Sequence, residues 1–296
     1  MKIIVATPLY PPEIDTLASY SRDLAEHLQS DHQVTVLAYA KQVEDKNVIV
    51  VDKSKPLLVR LFSYSWSLFK LAKSADIIYA QNAVAVGLPA IIVKYLVSKP
   101  VFINFYDDEA WKRALLENIS QQSYQDFLAS PQTNSKIKNI VRLQAWVLRR
   151  ADKVLVASQL EASNVEKYYD VDKTKIFINP KVEPQSEKIP FSPELVKGQI
   201  FFSGRLYDWS EVEKLIYKVH NDSEASLLVA GEGPSRSKLE KLVEENKLTT
   251  RVKFLGRISK AENYYHSQNS EKVVGDIDST LISWPEHISN LNKILQ

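Results

Sequence analysis

Apolar residues fall along this chain in short, β-branched runs separated by longer stretches of helical periodicity. KIIVA, at residues 2–6, has the length and branching of a buried strand and is closed off by Pro8. Beyond Pro11-Pro12, Leu17, Tyr20, Leu24 and Leu28 recur at helical spacing. VTVLAY (34–39) and NVIVVD (47–52) are the next strands, and Pro56 opens a helical segment that runs to about Lys73. DIIYA (76–80), a helix over Leu88–Leu96 and PVFINFY (100–106) continue the alternation. Ile137, Ile140, Val141, Val147 and Leu148 then mark a helix leading into KVLVAS (153–158), and KIFINP (175–180) supplies one more strand. Strands separated by helices of about ten residues or more predict a parallel, doubly wound α/β sheet.

Pro180, Pro184, Pro190 and Pro193 follow within a polar stretch, the best linker in the sequence. The alternation then restarts with QIFFSG (199–204), a helix over 211–219, SLLVAG (226–231), a helix over 235–246 and RVKFLG (251–256). A helix near Ala261–His266 precedes a polar, weakly periodic segment, 267–280, and the residues from Trp284 onward suit an amphipathic helix. The expected organisation is a first Rossmann-like domain over 1–184, a linker over 185–198, a short second domain over 199–268 and a tail over 269–296. That second domain is small beside the ~100–150 residues commonest for a domain.

Composition narrows the chemistry. The chain has no cysteine, which removes disulfides and thiolate chemistry, and its five histidines show no paired helical spacing for zinc. Only 7 of 296 residues are glycine, and none precedes Gly87, so an N-terminal glycine fingerprint for a dinucleotide is excluded. The net charge of +2 divides into about +4 for residues 1–150 and −2 for the remainder, too mild for a dedicated nucleic-acid binder. Lys94 and Lys99 interrupt the longest apolar stretch, Val84–Ile103, and the expected location is cytoplasmic.

Three strand ends carry candidate chemistry. Gly204-Arg205 ends the strand that opens the second domain, where an arginine can clamp a phosphate or lie free in solvent. Gly231 and Gly233 end the next strand, and Pro234-Ser235 open a helix; this is either an anion site or simply a good strand-to-helix turn. In the first half, Asp107, Asp108 and Glu109 follow a strand, as a base, as acceptors for sugar hydroxyls, or as a solvated acidic helix start. Basic helices over Leu57–Lys73, where Arg60, Lys70 and Lys73 flank aromatics, and over Lys136–Lys153 either contact an anionic membrane or pack with their charges outward.

Taken in order, ATPLYPPEIDTLASYSRDLAEHL, DHQVTVLAY, the DEAW turn, RADKVLVAS, KIFINPKVE, FFSGRLYDW, LLVAGEGPSRSKLE and RVKFLGRISKAENYYHS resemble the retaining glycosyltransferases of family 4. The likeness runs from Met1 to about Gln268. It implies a GT-B fold, two Rossmann-like domains facing a cleft, with acceptor on the first and a UDP- or GDP-linked sugar on the second. It further implies hexose transfer to a saccharide or lipid-linked acceptor without a metal ion or other cofactor, and without nucleic acid. By resemblance Arg205 holds the donor diphosphate, Gly204, Gly231, Gly233 and Pro234 lie at the nucleotide, and Asp108 is the cleft residue with a catalytic part.

The departures are specific. Asp15, Asp31, Asp107 and Glu211 stand at turn positions where the family has glycine. Ser210 stands where the family has the lysine that pairs with the arginine on the diphosphate. The family's two glutamates, seven residues apart, are missing after the YYHS-like helix, and LISWPEHISNLNKIL resembles the family's C-terminal helix, which crosses back to the first domain. The pattern implies an internal deletion and an incomplete donor domain. Two readings follow: a glycosyltransferase of impaired activity, peripheral at the inner face of the membrane, or a non-catalytic relative that binds nucleotide, acceptor or a protein partner.

Overall fold

The computed structural model of the chain describes residues 1–13, 16–40, 47–120, 122, 124–182, 194–204, 206, 210–258, 260–275 and 281–295. The chain divides into two compact units: Met1–Ser120 with Tyr124–Lys181 and Ile282–Gln296, and Gln121–Ser123 with Val182–Leu281.

The first unit is built on seven strands: β1 (Lys2–Thr7), β2 (Gln33–Ala40), β3 (Val48–Asp52), β4 (Ile77–Ala80), β5 (Val101–Asn104), β6 (Lys153–Val156) and β7 (Ile176–Ile178). They lie in the order β3-β2-β1-β4-β5-β6-β7, every neighbouring pair parallel, with Val5 opposite both Val36 and Tyr79. The order reverses between β1 and β4, the topological switch of a doubly wound sheet. The unbroken apolar runs of β1, β4 and β5 are explained by burial of both sheet faces. Helices α1 (Thr16–Leu28), α2 (Leu57–Ala72), α3 (Gly87–Val97), α4 (Glu109–Leu116), α5 (Tyr124–Ala129), α6 (Ser135–Arg150) and α7 (Gln159–Tyr169) complete the winding. Tyr64 and Leu68 of α2, Ile91 of α3 and Val147 of α6 share one core with Ile4, Leu37 and Ile78 of the sheet.

In the second unit, β8 (Val196–Ser203), α8 (Ser210–Asn221), β9 (Ser226–Ala230), α9 (Arg236–Glu245), β10 (Val252–Gly256), α10 (Lys260–Asn269) and β11 (Ser270–Gly275) form a four-stranded parallel sheet, ordered β10-β9-β8-β11. The strand β11 is a correction to the sequence reading, which left 267–280 without a strand. SEKVVG has only Val273 and Val274 as an apolar signal, too short to register as periodicity. Its place is secured by the ladder to β8 and by side chains: Gln199 Nε2 donates to Ser270 Oγ at 2.9 Å, and the Gly198 amide donates to Glu271 Oε2 at 2.6 Å.

The last helix, α11 (Trp284–Leu295), belongs to the first unit. Trp284 stacks on His27 with ring centroids 4.5 Å apart and also on Tyr20. His287 is fully buried: its Nδ1 donates to the Pro180 carbonyl at 2.8 Å, which leaves Nε2 to accept from the Tyr20 hydroxyl at 2.9 Å. Burial pulls the His287 pKa down to about 4, so the ring is neutral near pH 7.

The glycine shortage is managed differently from the expectation. Asp31, Asp107 and Glu211 have no positive φ, so a left-handed backbone does not call for glycine there, and Asp15 lies outside the described residues. Among the described residues, the non-glycine left-handed turns fall at Ser98, Asn118, Asp170 and Lys247, with φ between 54° and 57°. Ser98 and Asp170 end α3 and α7, positions that glycine commonly takes.

Candidate functional site

Two sets of candidate residues emerge, one in each unit, both at the carboxyl ends of parallel strands. In the second unit, Gly204, Gly231 and Gly256 end the adjacent strands β8, β9 and β10. The Gly204 amide donates to the Ala230 carbonyl at 3.0 Å, and the Gly231 amide to the Gly256 carbonyl at 2.7 Å. Past the strands the backbones remain joined: the Leu206 amide donates to Glu232 O at 3.1 Å and the Ser235 amide to Leu206 O at 3.0 Å. Here glycine is a geometric requirement. Gly231 has φ of +140°, and a Cβ built on it would lie 1.8 Å from the Gly204 carbonyl oxygen. A Cβ at Gly233 would lie 2.3 Å from the Leu206 carbonyl oxygen.

This turn delivers the chain to the N-terminus of α9, which Ser235 caps without a side-chain hydrogen bond to the helix and where Pro234 is exposed. A helix N-terminus carries a partial positive charge of about half an electron, favourable for an anion. Glu232 does not oppose it freely, because Arg236 pairs with Glu232 and, at 2.8 Å, with Glu240. The Glu232–Arg236 pair was not anticipated from sequence, although its i,i+4 spacing is the signal that could have found it. Arg205 and 207–209 lie outside the described residues, as does the side chain of Ser210.

In the first unit, Asp108 follows β5 and caps α4, its Oδ1 accepting from the Trp111 amide at 3.0 Å. The same oxygen accepts from Gln144 Nε2 at 3.0 Å, and Oδ2 accepts from the Tyr169 hydroxyl. Gln144 in turn accepts from the Ala110 amide at 2.9 Å. Asp108 is only 5% exposed, so a helix start it is, but not a solvated one. Burial pushes its pKa up, and the hydrogen bonds from Tyr169, Trp111 and Gln144 oppose that rise. The neighbouring acids are spent elsewhere: Asp107 pairs with Lys112 at 2.5 Å and Glu109 with Arg113 at 2.6 Å. Sequence reasoning missed Gln144 and Tyr169. For Gln144 one signal existed, a polar residue seven positions after Ile137 in the apolar stripe of α6. Among the described residues no three His, Asp or Glu side chains gather as a metal site, and no helix is long and apolar enough to cross a membrane.

The sequence model of Glycosyltransferase Family 4 matches residues 17–181. The chain belongs to glycosyltransferase family 4. A second model, Glycosyl transferases group 1, matches residues 185–274, the stretch that contains the glycine turn. No curated protein matches this chain significantly. Among solved structures, sucrose-phosphate synthase from Thermosynechococcus elongatus is similar at a TM-score of 0.63 and 17% identity, over 92% of this chain and 75% of that one. HepE from Anabaena, solved in complex with UDP, is similar at a TM-score of 0.58 and 16% identity, over 88% and 70%. The UDP-GlcNAc 2-epimerase of Methanocaldococcus jannaschii reaches 0.53 at 12% identity, over 94% and 79%. At these identities the likeness establishes the fold, a GT-B arrangement of two Rossmann-like units, and the epimerase illustrates that this fold alone does not name a reaction.

Proposed function

We propose that this member of family 4 transfers a hexose, with retention, from a UDP- or GDP-linked sugar to a saccharide or lipid-linked acceptor. The observation that carries this reading is the glycine turn, which packs closely on the backbone of Gly204 and Leu206 and delivers the chain to the N-terminus of α9, a positive helix end that favours an anion. In this reading Arg205 clamps the donor diphosphate and stabilises it as leaving group, without a metal ion. Gly204, Gly231, Gly233 and Pro234 shape the nucleotide side of the site. Asp108 serves by position: both of its oxygens are engaged, so it fixes the start of α4 and reaches the substrate only through that element.

Turnover is weak in this reading. Ser210 replaces the second cation of the diphosphate site, and the glutamate pair expected after the YYHS-like helix is missing, as an internal deletion would leave it. The same replacement favours a second reading, a chain that binds nucleotide without turning it over. Calorimetry with UDP and GDP tests the shared premise: Arg205→Ala is expected to weaken binding about tenfold or more, the loss of one charge-assisted pair, and equal binding by the variant refutes the role. Acceptor-dependent release of UDP or GDP from a panel of sugar nucleotides then separates the two readings.

A further inference from the structure

The α2–α3 surface of the first unit carries a feature that the transfer reaction does not use. On α2, Leu58, Phe62 and Trp66 repeat every four residues, and Leu58 and Phe62 are 78% and 72% exposed. The buried stripe of the same helix is Tyr64, Leu68 and Ala72. Positions two apart on a helix are separated by about 200°, so the exposed stripe lies opposite the buried one and is not the rim of the core. The neighbouring α3 packs against α2 and exposes Ile92, Tyr95 and Leu96 at the same kind of spacing, Leu96 to 65%. Soluble surfaces scatter single apolar side chains; two adjacent helices each exposing a stripe form a patch of the kind that marks an interaction surface.

The charge along this stretch is predominantly positive. From Lys53 to Tyr106 the chain has seven lysines and arginines and one acid, Asp76. Among the described residues, Lys55, Lys70, Lys73 and Lys99 have no acidic partner. Lys70 lies over the exposed Trp66 ring at 5.4 Å and Lys73 over the partly buried Phe69 at 4.6 Å, so cations and aromatics alternate along one helix. Two copies of this surface placed face to face would oppose lysine to lysine, which disfavours a second copy as occupant. An anionic bilayer satisfies both features, taking apolar side chains at the acyl boundary, Trp and Tyr at the headgroup level and lysines among lipid phosphates.

We infer that the α2–α3 face docks this protein onto an anionic lipid surface, with Phe62 and Trp66 inserted and Lys70 and Lys73 on the headgroups. The inference goes beyond the transfer reaction and needs neither nucleotide sugar nor acceptor, so the two fail independently. The test is cosedimentation of the full chain with vesicles of phosphatidylcholine alone, or with about one third phosphatidylglycerol. Each cation near the surface contributes about five-fold, so Lys70 and Lys73 together are expected to favour the anionic vesicles over neutral ones by about 25-fold. The exposed double variant Phe62→Ser/Trp66→Ser is expected to lower partitioning by about tenfold with unchanged circular dichroism. Lys70→Glu/Lys73→Glu is expected to remove the preference for anionic lipid. Absence of wild-type binding, equal binding by both variants, or a dimer that Trp66→Ser dissolves while no vesicle is bound would each overturn the inference.

Discussion

The two candidate strand ends are built in opposite ways. After β8 and β9 the chain is held by backbone against backbone, with Gly231 and Gly233 chosen because a Cβ has no room. After β5 the chain is held by side chains converging on one buried carboxylate, Asp108, from α6 and α7. The first arrangement joins peptide groups to one another and ends at a helix N-terminus, while the second joins side chains around a carboxylate. In a glycine-poor chain these glycines mark a turn whose backbone packing has no room for a Cβ.

The comparison is most easily broken at Gly231. Gly231→Val, which must both leave φ of +140° and displace the Gly204 carbonyl, is expected to cost about 4 kcal/mol or more. Hydrogen exchange should show the loss in β8 and β9, and a near-neutral variant would mean that the backbone contact is not a constraint. Asp108→Ala, which strands the Trp111 amide, Gln144 and the Tyr169 hydroxyl, is expected to cost about 3 kcal/mol in urea unfolding of the first unit. Asp108→Asn, which keeps one acceptor oxygen, should recover part of that. Were the carboxylate needed for chemistry alone, both variants would keep wild-type stability.

A pH-linked effect of similar size belongs to the other side-chain-held region, the docking of α11. His287 titrates at about 4 in the folded chain and at ~6.5 when unfolded, so the unfolded chain takes up the proton first. Its contribution is full above pH 6.5 and is lost as pH falls toward 4, by roughly 3 kcal/mol. Tyr20, Asn179 and His27 face the ring, and His287→Gln should flatten the profile of unfolding free energy against pH in that window. The smallest effect is expected at Glu232→Gln: this partly exposed i,i+4 pair should change stability by less than about 1 kcal/mol, as thermal unfolding will read.

Much of the fold was legible in the sequence because a parallel strand buried on both faces must be a continuous apolar run, and KIIVA, DIIYA and VFINFY are such runs. The strand β11 was not legible, since two valines at a sheet edge leave no periodicity. Of the candidate site, the glycine turn could be read in advance because glycine, proline and serine act locally, through the φ and the N–H of the residues that carry them. Asp108 could be singled out but not understood. Gln144 and Tyr169 are 36 and 61 positions away, and only the packing of α6 and α7 brings them to the carboxylate.

The sequence by itself determined the alternation of strands and helices, the family, and the positions where glycine is spent, because these follow from periodicity and from local backbone freedom. Tertiary structure decided that Asp108 is buried and fully engaged, that His287 is neutral, and that Leu58, Phe62 and Trp66 face outward. Burial of a given side chain is set by what the rest of the chain packs around it, and neither spacing nor residue type specifies that partner.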